Sequence, residues 1–186
     1  MRPALTTERL RLEPLTATHT DLLVELDADP DVLHFIFGRA LTRDEVVDTW
    51  LPRRTRPEAD ARGIGYWMGY EGAMFVGWWC LGLDDDDPVA AELGYRLRRE
   101  AWGRGLAVEG SRALLSHGFT TVGLDRVWAQ TMAVNTRSRR VLEKLGLRHV
   151  RAHVGEWDEP IPGWEQGEVV YEIRAQGRQP STRSLP

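Results

Sequence analysis

Glu92, Ser138 and the run Trp102-Gly103-Arg104-Gly105-Leu106-Ala107 are where residue type and spacing suggest chemistry. The run lies where an apparent strand, Ala90 to Leu97, hands over to an amphipathic helix, Leu106 to Phe119. Two glycines and an arginine at such a turn leave backbone N–H groups free, allow close approach and add positive charge. That is the composition of a phosphate cradle at a helix N-terminus. No Lys-Ser/Thr pair follows, as a P-loop requires, and Val108 stands where a dinucleotide fingerprint has its third glycine. A tight turn without a ligand uses the same residues, so this segment alone leaves both readings open.

In the strand before the turn, Ala91, Leu93, Tyr95 and Leu97 alternate onto one face, and Glu92, Gly94 and Arg96 onto the other. A glycine inside a strand marks a bulge or the close approach of another backbone. Glu92 beside it reads either as a general base or as a solvated edge carboxylate. Ser138, Val141, Leu142 and Leu145 recur at helical spacing, which puts Ser138 on the apolar face of a short helix, Thr136 to Leu145. Asn135 is positioned to cap that helix and Gly146 to stop it. The serine hydroxyl can serve a ligand or bond a backbone carbonyl.

These residues need elements to hold them. A half-buried strand (Leu10, Leu12, Leu15) stops near Pro14, and Thr18 can cap a helix carrying Leu22, Leu23 and Leu26. Thr42 and Glu45 form a capping-box pattern for a second helix, disturbed near Pro52. Strands over 65–70, 74–83 and 89–98 follow, the first pair joined by a tight Glu71-Gly72 turn and the second by Asp84-Asp85-Asp86-Asp87-Pro88. That acidic run lacks the ligand spacing of a calcium loop and reads as a solvated hairpin tip. After the central helix come a strand (126–132), the short helix, and a final strand pair (148–154 and 168–174). The order predicts a mixed α/β, or α+β, domain.

The 186 residues suit one domain over 1–175, with a polar tail, 176–186, expected to be disordered. A net charge of −4 argues against a general nucleic-acid binder. The single cysteine, Cys80, sits among apolar neighbours and reads as a buried structural thiol, and the five histidines show no metal spacing. Neither a signal-peptide h-region nor a membrane-spanning run is evident, so the expectation is a cytoplasmic protein.

Taken in order, Glu92-Leu93-Gly94-Tyr95, the run from Trp102 to Glu109, and the run from Asn135 to Gly146 resemble the GNAT superfamily of N-acetyltransferases. With Thr7-Glu8-Arg9-Leu10-Arg11-Leu12 they look more closely like its RimJ/RimL-type branch. The resemblance covers about Thr6 to Glu172. It implies a central, mostly antiparallel twisted sheet with splayed middle strands, flanked by about four helices. Gly105 and Ala107 match the family pyrophosphate loop, Gln/Arg-x-x-Gly-x-Gly/Ala, while Trp102 stands where Gln or Arg is usual.

The resemblance further implies acetyl-CoA as co-substrate and no metal. Its pyrophosphate would lie on the backbone of Gly103, Arg104, Gly105, Leu106 and Ala107, its pantetheine arm beside Tyr95 and Leu97 and within reach of Asn135. The reaction implied is direct acetyl transfer to a primary amine of a small molecule or a protein N-terminus. Glu92 would take the amine proton, a backbone N–H around Leu93 to Tyr95 would meet the oxyanion, and Ser138 would donate to the departing thiolate. Trp157 and Trp164, in the acidic segment His153 to Glu168, are candidates to stack on a cationic acceptor. A catalytically silent acyl-CoA-binding or sensing module would keep the same cradle. Monomer and homodimer are both compatible with the resemblance.

Overall fold

The protein is described by a computed structural model over residues 2–155 and 160–175. Eight strands form one sheet: β1 (Leu5–Thr6), β2 (Leu10–Pro14), β3 (Gly65–Glu71), β4 (Met74–Leu83), β5 (Ala90–Leu97), β6 (Arg126–Met132), β7 (Arg148–His153) and β8 (Glu168–Arg174). Their spatial order is β1-β2-β3-β4-β5-β6-β8-β7. Every neighbouring pair is antiparallel except β5 and β6, the pair joined by the crossover through the central helix. The fold is thus the mixed sheet with flanking helices that the sequence implied.

The strands at the middle of the sheet are buried on both faces, which is why β4 reads as a near-continuous apolar run. Adjacent tryptophans divide the core: Trp79 points to one face with Leu12, Trp67, Leu81, Leu93, Leu106 and Leu114, and Trp78 to the other with Leu15, Leu23, Leu26, Met68 and Cys80. The first face is covered by α4 (Leu106–His117) and α5 (Thr136–Lys144), the second by α1 (Thr20–Asp27) and the helical segment after it. Gly110 lets α4 lie close on the sheet, since a Cβ there would stand 2.5 Å from Trp79 Cε2.

Local signals hold with some corrections. The Thr42–Glu45 capping box is formed, the Thr42 amide donating to Glu45 Oε2 (2.7 Å) and the Glu45 amide to Thr42 Oγ1 (3.2 Å). The helix it opens is π-wound over Glu45–Trp50 before becoming α2 (Leu51–Arg54). The wider turn relieves the missing N–H and ring clash that Pro52 brings to an α-helix. The first helix is preceded by a 3-10 turn, Ala17–His19, whose cap is Thr16 rather than Thr18; the Thr16 amide donates to His19 Nδ1 at 3.0 Å. Strand β1 and helix α3 (Pro57–Ala61) were not anticipated; each is too short to leave a periodic signal. Gly94 marks no bulge. The register of β4 with β5 runs unbroken, and what Gly94 admits is the Cys80 thiol, 2.8 Å from where its Cβ would be. The bulge lies instead between β3 and β4, where Tyr70 faces Phe75 and Gly69 faces Gly77. The expected disorder of 176–186 falls outside the described residues, among which no helix is long and apolar enough to cross a membrane.

One long-range cluster ties α1, α2 and β5 together. Asp27, fully buried, accepts from Arg54 Nη2 (2.8 Å) and Arg96 Nη1 (2.5 Å), and both guanidiniums lie over the Trp78 ring, 5.4 and 5.1 Å from its centroid. Two buried cations rest on a single carboxylate, so removing that charge strands both. Asp27→Asn is expected to destabilise the fold by about 3–5 kcal/mol, read as a lower urea midpoint at unchanged slope.

Candidate active site

Strands β5 and β6 pair over three positions only: Ala90 with Arg126, Ala91 with Val127, and Glu92 with Trp128. Beyond that point β5 continues to Leu97 beside β4, and β6 to Met132 beside β8. The sheet therefore opens into a fork, and the inner edge of Leu93 to Leu97 has no strand opposite it. Glu92 stands at the apex.

The Glu92 side chain points to the α1 face, beside Gly82. Burial raises its carboxyl above the ordinary carboxylate range, and the charges of Asp84 and Glu168 raise it further. No hydrogen bond to that carboxyl is found among the described residues. Asp84 is not the solvated hairpin-tip residue that the sequence suggested. Its side chain is only 10% exposed; one oxygen accepts from the amides of Asp86 (3.1 Å) and Asp87 (3.0 Å), the other from Arg126 Nη2 (3.1 Å) and Trp128 Nε1 (2.9 Å). Glu168 accepts from Gln130 Nε2 at 2.7 Å. Cys80 and Tyr66 fill the same face; burial first pushes the thiol up to about 12, and the tyrosine is also raised, so neither ionises near neutrality. Cys80 is structural, as its neighbours implied.

Ser138 belongs to the opposite face. The Tyr95 hydroxyl crosses from β5 to meet Ser138 Oγ at 3.0 Å, and burial pushes the phenol up to about 12. Asn135 caps α5 as expected, its Oδ1 accepting from the Ser138 amide at 3.1 Å, and Gly146 supplies the positive-φ stop at +87°. Glu92 and Ser138 thus flank the fork from its two faces, without contact between them.

The glycine run lies at the open end. A 3-10 turn, Arg99–Ala101, leads into extended Trp102, and Gly103 (φ +72°) and Gly105 (φ +80°) then use left-handed conformations that disfavour other residues. Gly105 is the N-cap of α4 and offers no side chain, so the amides of Leu106, Ala107 and Val108 are left without intrahelical partners. Open space surrounds Gly103. An uncapped first turn with room before it fits a pyrophosphate. Trp102 Nε1 donates to the Leu97 carbonyl (2.9 Å), which engages that carbonyl, and Arg137 of α5 lies 5.4 Å over the Trp102 ring.

Sequence reasoning missed what fastens this turn. Glu109 accepts from Thr7 Oγ1 (2.6 Å), the Arg9 amide (2.9 Å) and Arg9 Nε (2.7 Å), and Arg9 Nη1 donates to the Arg104 carbonyl at 3.0 Å. The Arg104 side chain bonds Glu71 (2.8 Å). The only signal was the Thr7-Glu8-Arg9 run itself. Trp164 is half-buried in a 3-10 turn, Trp164–Gln166, of a segment that packs through Ile161 against Gly38 and through Gly163 against Val134. Trp157 lies outside the described residues.

The profile of the Acetyltransferase (GNAT) domain matches residues 9–148. The chain is 37% identical over 182 residues to the FsC-acetyl coenzyme A-N(2)-transacetylase of Aspergillus fumigatus, an alignment covering 92% of this chain and 76% of the relative. Among solved structures it resembles a RimL ribosomal-protein alpha-N-acetyltransferase in complex with coenzyme A (TM-score 0.78, 14% identity, 95% of this chain and all of that one). It also resembles the spermidine N-acetyltransferase of Vibrio cholerae in complex with CoA and spermine (TM-score 0.75, 17% identity, 90% and 96%). The forked sheet, the uncapped glycine turn and the family match agree, and the chain belongs to the GNAT family as an acetyl-CoA-dependent N-acetyltransferase.

Proposed function

We propose that this enzyme acetylates the primary amine of a small molecule, with Glu92 as the group that takes the amine proton. The carrying observation is the placement of Glu92 at the apex of the fork, with a carboxyl raised by burial and by two neighbouring carboxylates. A carboxyl raised by its surroundings accepts a proton better than an ordinary surface carboxylate. The Aspergillus relative is named for transfer to an N(2) nitrogen, which favours a small-molecule amine over a protein N-terminus. Trp164 and the acidic Glu168 suit the wall against which a cationic acceptor would rest. We also read the chain as one domain over 1–175 of the RimJ/RimL-type branch, on the strength of its opening Thr7-to-Leu12 run. The unpaired Cys80 is consistent with the reducing cytoplasm.

In this reading each group of the chain has one task. The first-turn amides of α4 and the backbone from Gly103 to Ala107 hold the pyrophosphate of acetyl-CoA. The open inner edge from Leu93 to Tyr95 supplies N–H groups to the carbonyl oxygen as negative charge develops there. Glu92 takes the proton from the α1 face, and Ser138 stabilises the leaving sulfur from the α5 face. Thiol release from acetyl-CoA across polyamines, amino-acid esters, peptides and aminoglycosides tests the acceptor class. Turnover of peptides alone would overturn the small-molecule reading, and binding without turnover of any amine would favour a sensing module.

Three variants test this assignment. Glu92→Gln should lower kcat/KM by about 10²-fold or more, while acetyl-CoA affinity holds. The same variant should melt higher than the wild type at neutral pH. A carboxyl whose folded pKa is raised contributes its full stability below its unfolded pKa and loses it as pH rises through the folded pKa, so the gap should close in acid. Glu168→Gln removes one of the charges that raise Glu92, and should move the acid limb of the kcat/KM profile to lower pH. Finally, Gly105→Ala places a Cβ at φ +80°, costing roughly 1–2 kcal/mol in that conformation. It should raise the acetyl-CoA KM about tenfold with kcat little changed.

A further inference from the structure

Tyr95 stands on β5, and Ser138 opens α5, the helix that follows β6. Their 3.0 Å hydroxyl contact therefore reaches across the fork from one arm to the other. Each hydroxyl has one hydrogen to give. A phenol is a stronger acid than an alkanol, so the tyrosine is the better donor and the serine oxygen the better acceptor. The backbone amide of Ser138 is already held by Asn135, and among the described residues its hydroxyl meets only Tyr95. The Ser138 carbonyl is a second and more distant acceptor for the Tyr95 hydroxyl, at 3.5 Å against 3.0 Å for Oγ, so the phenol hydrogen goes to Oγ and the serine hydrogen is left free.

We propose that Tyr95 is a positioning residue for the leaving group: its hydroxyl donates to Ser138 Oγ and so turns the serine hydrogen into the fork, toward the thioester sulfur. This rests on the reading of Ser138 as the group beside that sulfur. In the transfer, the amine nitrogen bonds to the carbonyl carbon and the C–S bond breaks with its electron pair on sulfur. The amine proton passes to Glu92. Ser138 keeps its proton throughout and contributes a hydrogen bond to the developing thiolate. Tyr95 is not itself the acid. Burial pushes its hydroxyl up to about 12, well above a thiol at about 8.5, so handing its proton to sulfur would run uphill. The same burial keeps the phenol protonated, and therefore donating, across the working range.

The test needs only CoA and the intact protein. Ultraviolet absorbance of the thiolate titrates the CoA thiol bound to the enzyme against the same enzyme without CoA; Cys80, pushed up to about 12, stays silent in that range. A hydrogen bond to the bound thiolate should hold its pKa about one unit below that of free CoA. Ser138→Ala should abolish the shift, Tyr95→Phe should remove most of it in enzyme saturated with CoA, and the double variant should go no further than Ser138→Ala. If Ser138→Ala loses the shift while Tyr95→Phe keeps it, the role given to Tyr95 is wrong and that of Ser138 stands. A wild-type enzyme with an unshifted thiol would overturn the reading of Ser138 and the inference with it. A double variant that loses more than Ser138→Ala alone would mean that Tyr95 acts on the sulfur directly, which also overturns it.

Discussion

The pairing of β5 with β6 stops after three residues, and the rest of the site depends on that early end. A sheet that continued would satisfy the inner edges of both strands and leave nowhere for a substrate to enter. Because each arm is held by its outer neighbour, β5 by β4 and β6 by β8, the fork can open without either strand losing its place. The helices then take sides. Helix α4 begins where β5 ends and brings uncapped amides to the open end of the fork, while α5 begins where β6 ends and brings Ser138 to its flank.

The fork also separates the polar side chains of β5. Strand alternation sends Glu92 to the α1 face and Tyr95 to the α5 face, although only two residues lie between them in the chain. Under the proposed roles, proton acceptance would fall on one side of the sheet and stabilisation of the leaving sulfur on the other. The N-terminal clasp serves the same geometry from outside. Glu109 collects Thr7 and Arg9, and Arg9 in turn holds the Arg104 carbonyl, so the turn before α4 is fixed by residues that never approach the fork.

What the sequence disclosed was local, and what it hid was distant. The strand before the glycine run, the run itself, the Thr42–Glu45 box, and the Asn135 cap with its Gly146 stop all involve residues a few positions apart, so spacing reveals them. The Tyr95–Ser138 contact spans 43 positions and the Arg9–Glu109 clasp 100, separations that leave no periodic trace. The acidic hairpin is the clearest case. Four consecutive aspartates look alike in sequence, and only the arrival of Arg126 and Trp128 on β6 singles out Asp84 and buries it beside Glu92. Gly94 was legible as a position of close approach, but not as room for a thiol rather than a backbone.

The treatment of charge along one face of β5 explains why Glu92 stays raised. Arg96 points to the same face four residues on, and an unpartnered guanidinium there would draw the glutamate down. Asp27 occupies Arg96 and holds Arg54 as well, so both guanidiniums are turned to a carboxylate beneath α1 rather than to Glu92. At the other end Arg126 is taken up by Asp84, Asp87 and Glu172, leaving it little to offer Glu92. These cations are thus bonded to other carboxylates, while the charges of Asp84 and Glu168 act on Glu92. The fold retains an arrangement that is unfavourable for the ionised glutamate in isolation. Under the role proposed for Glu92 such a cost would be tolerable, because a cationic acceptor would supply the positive charge that the carboxylate lacks.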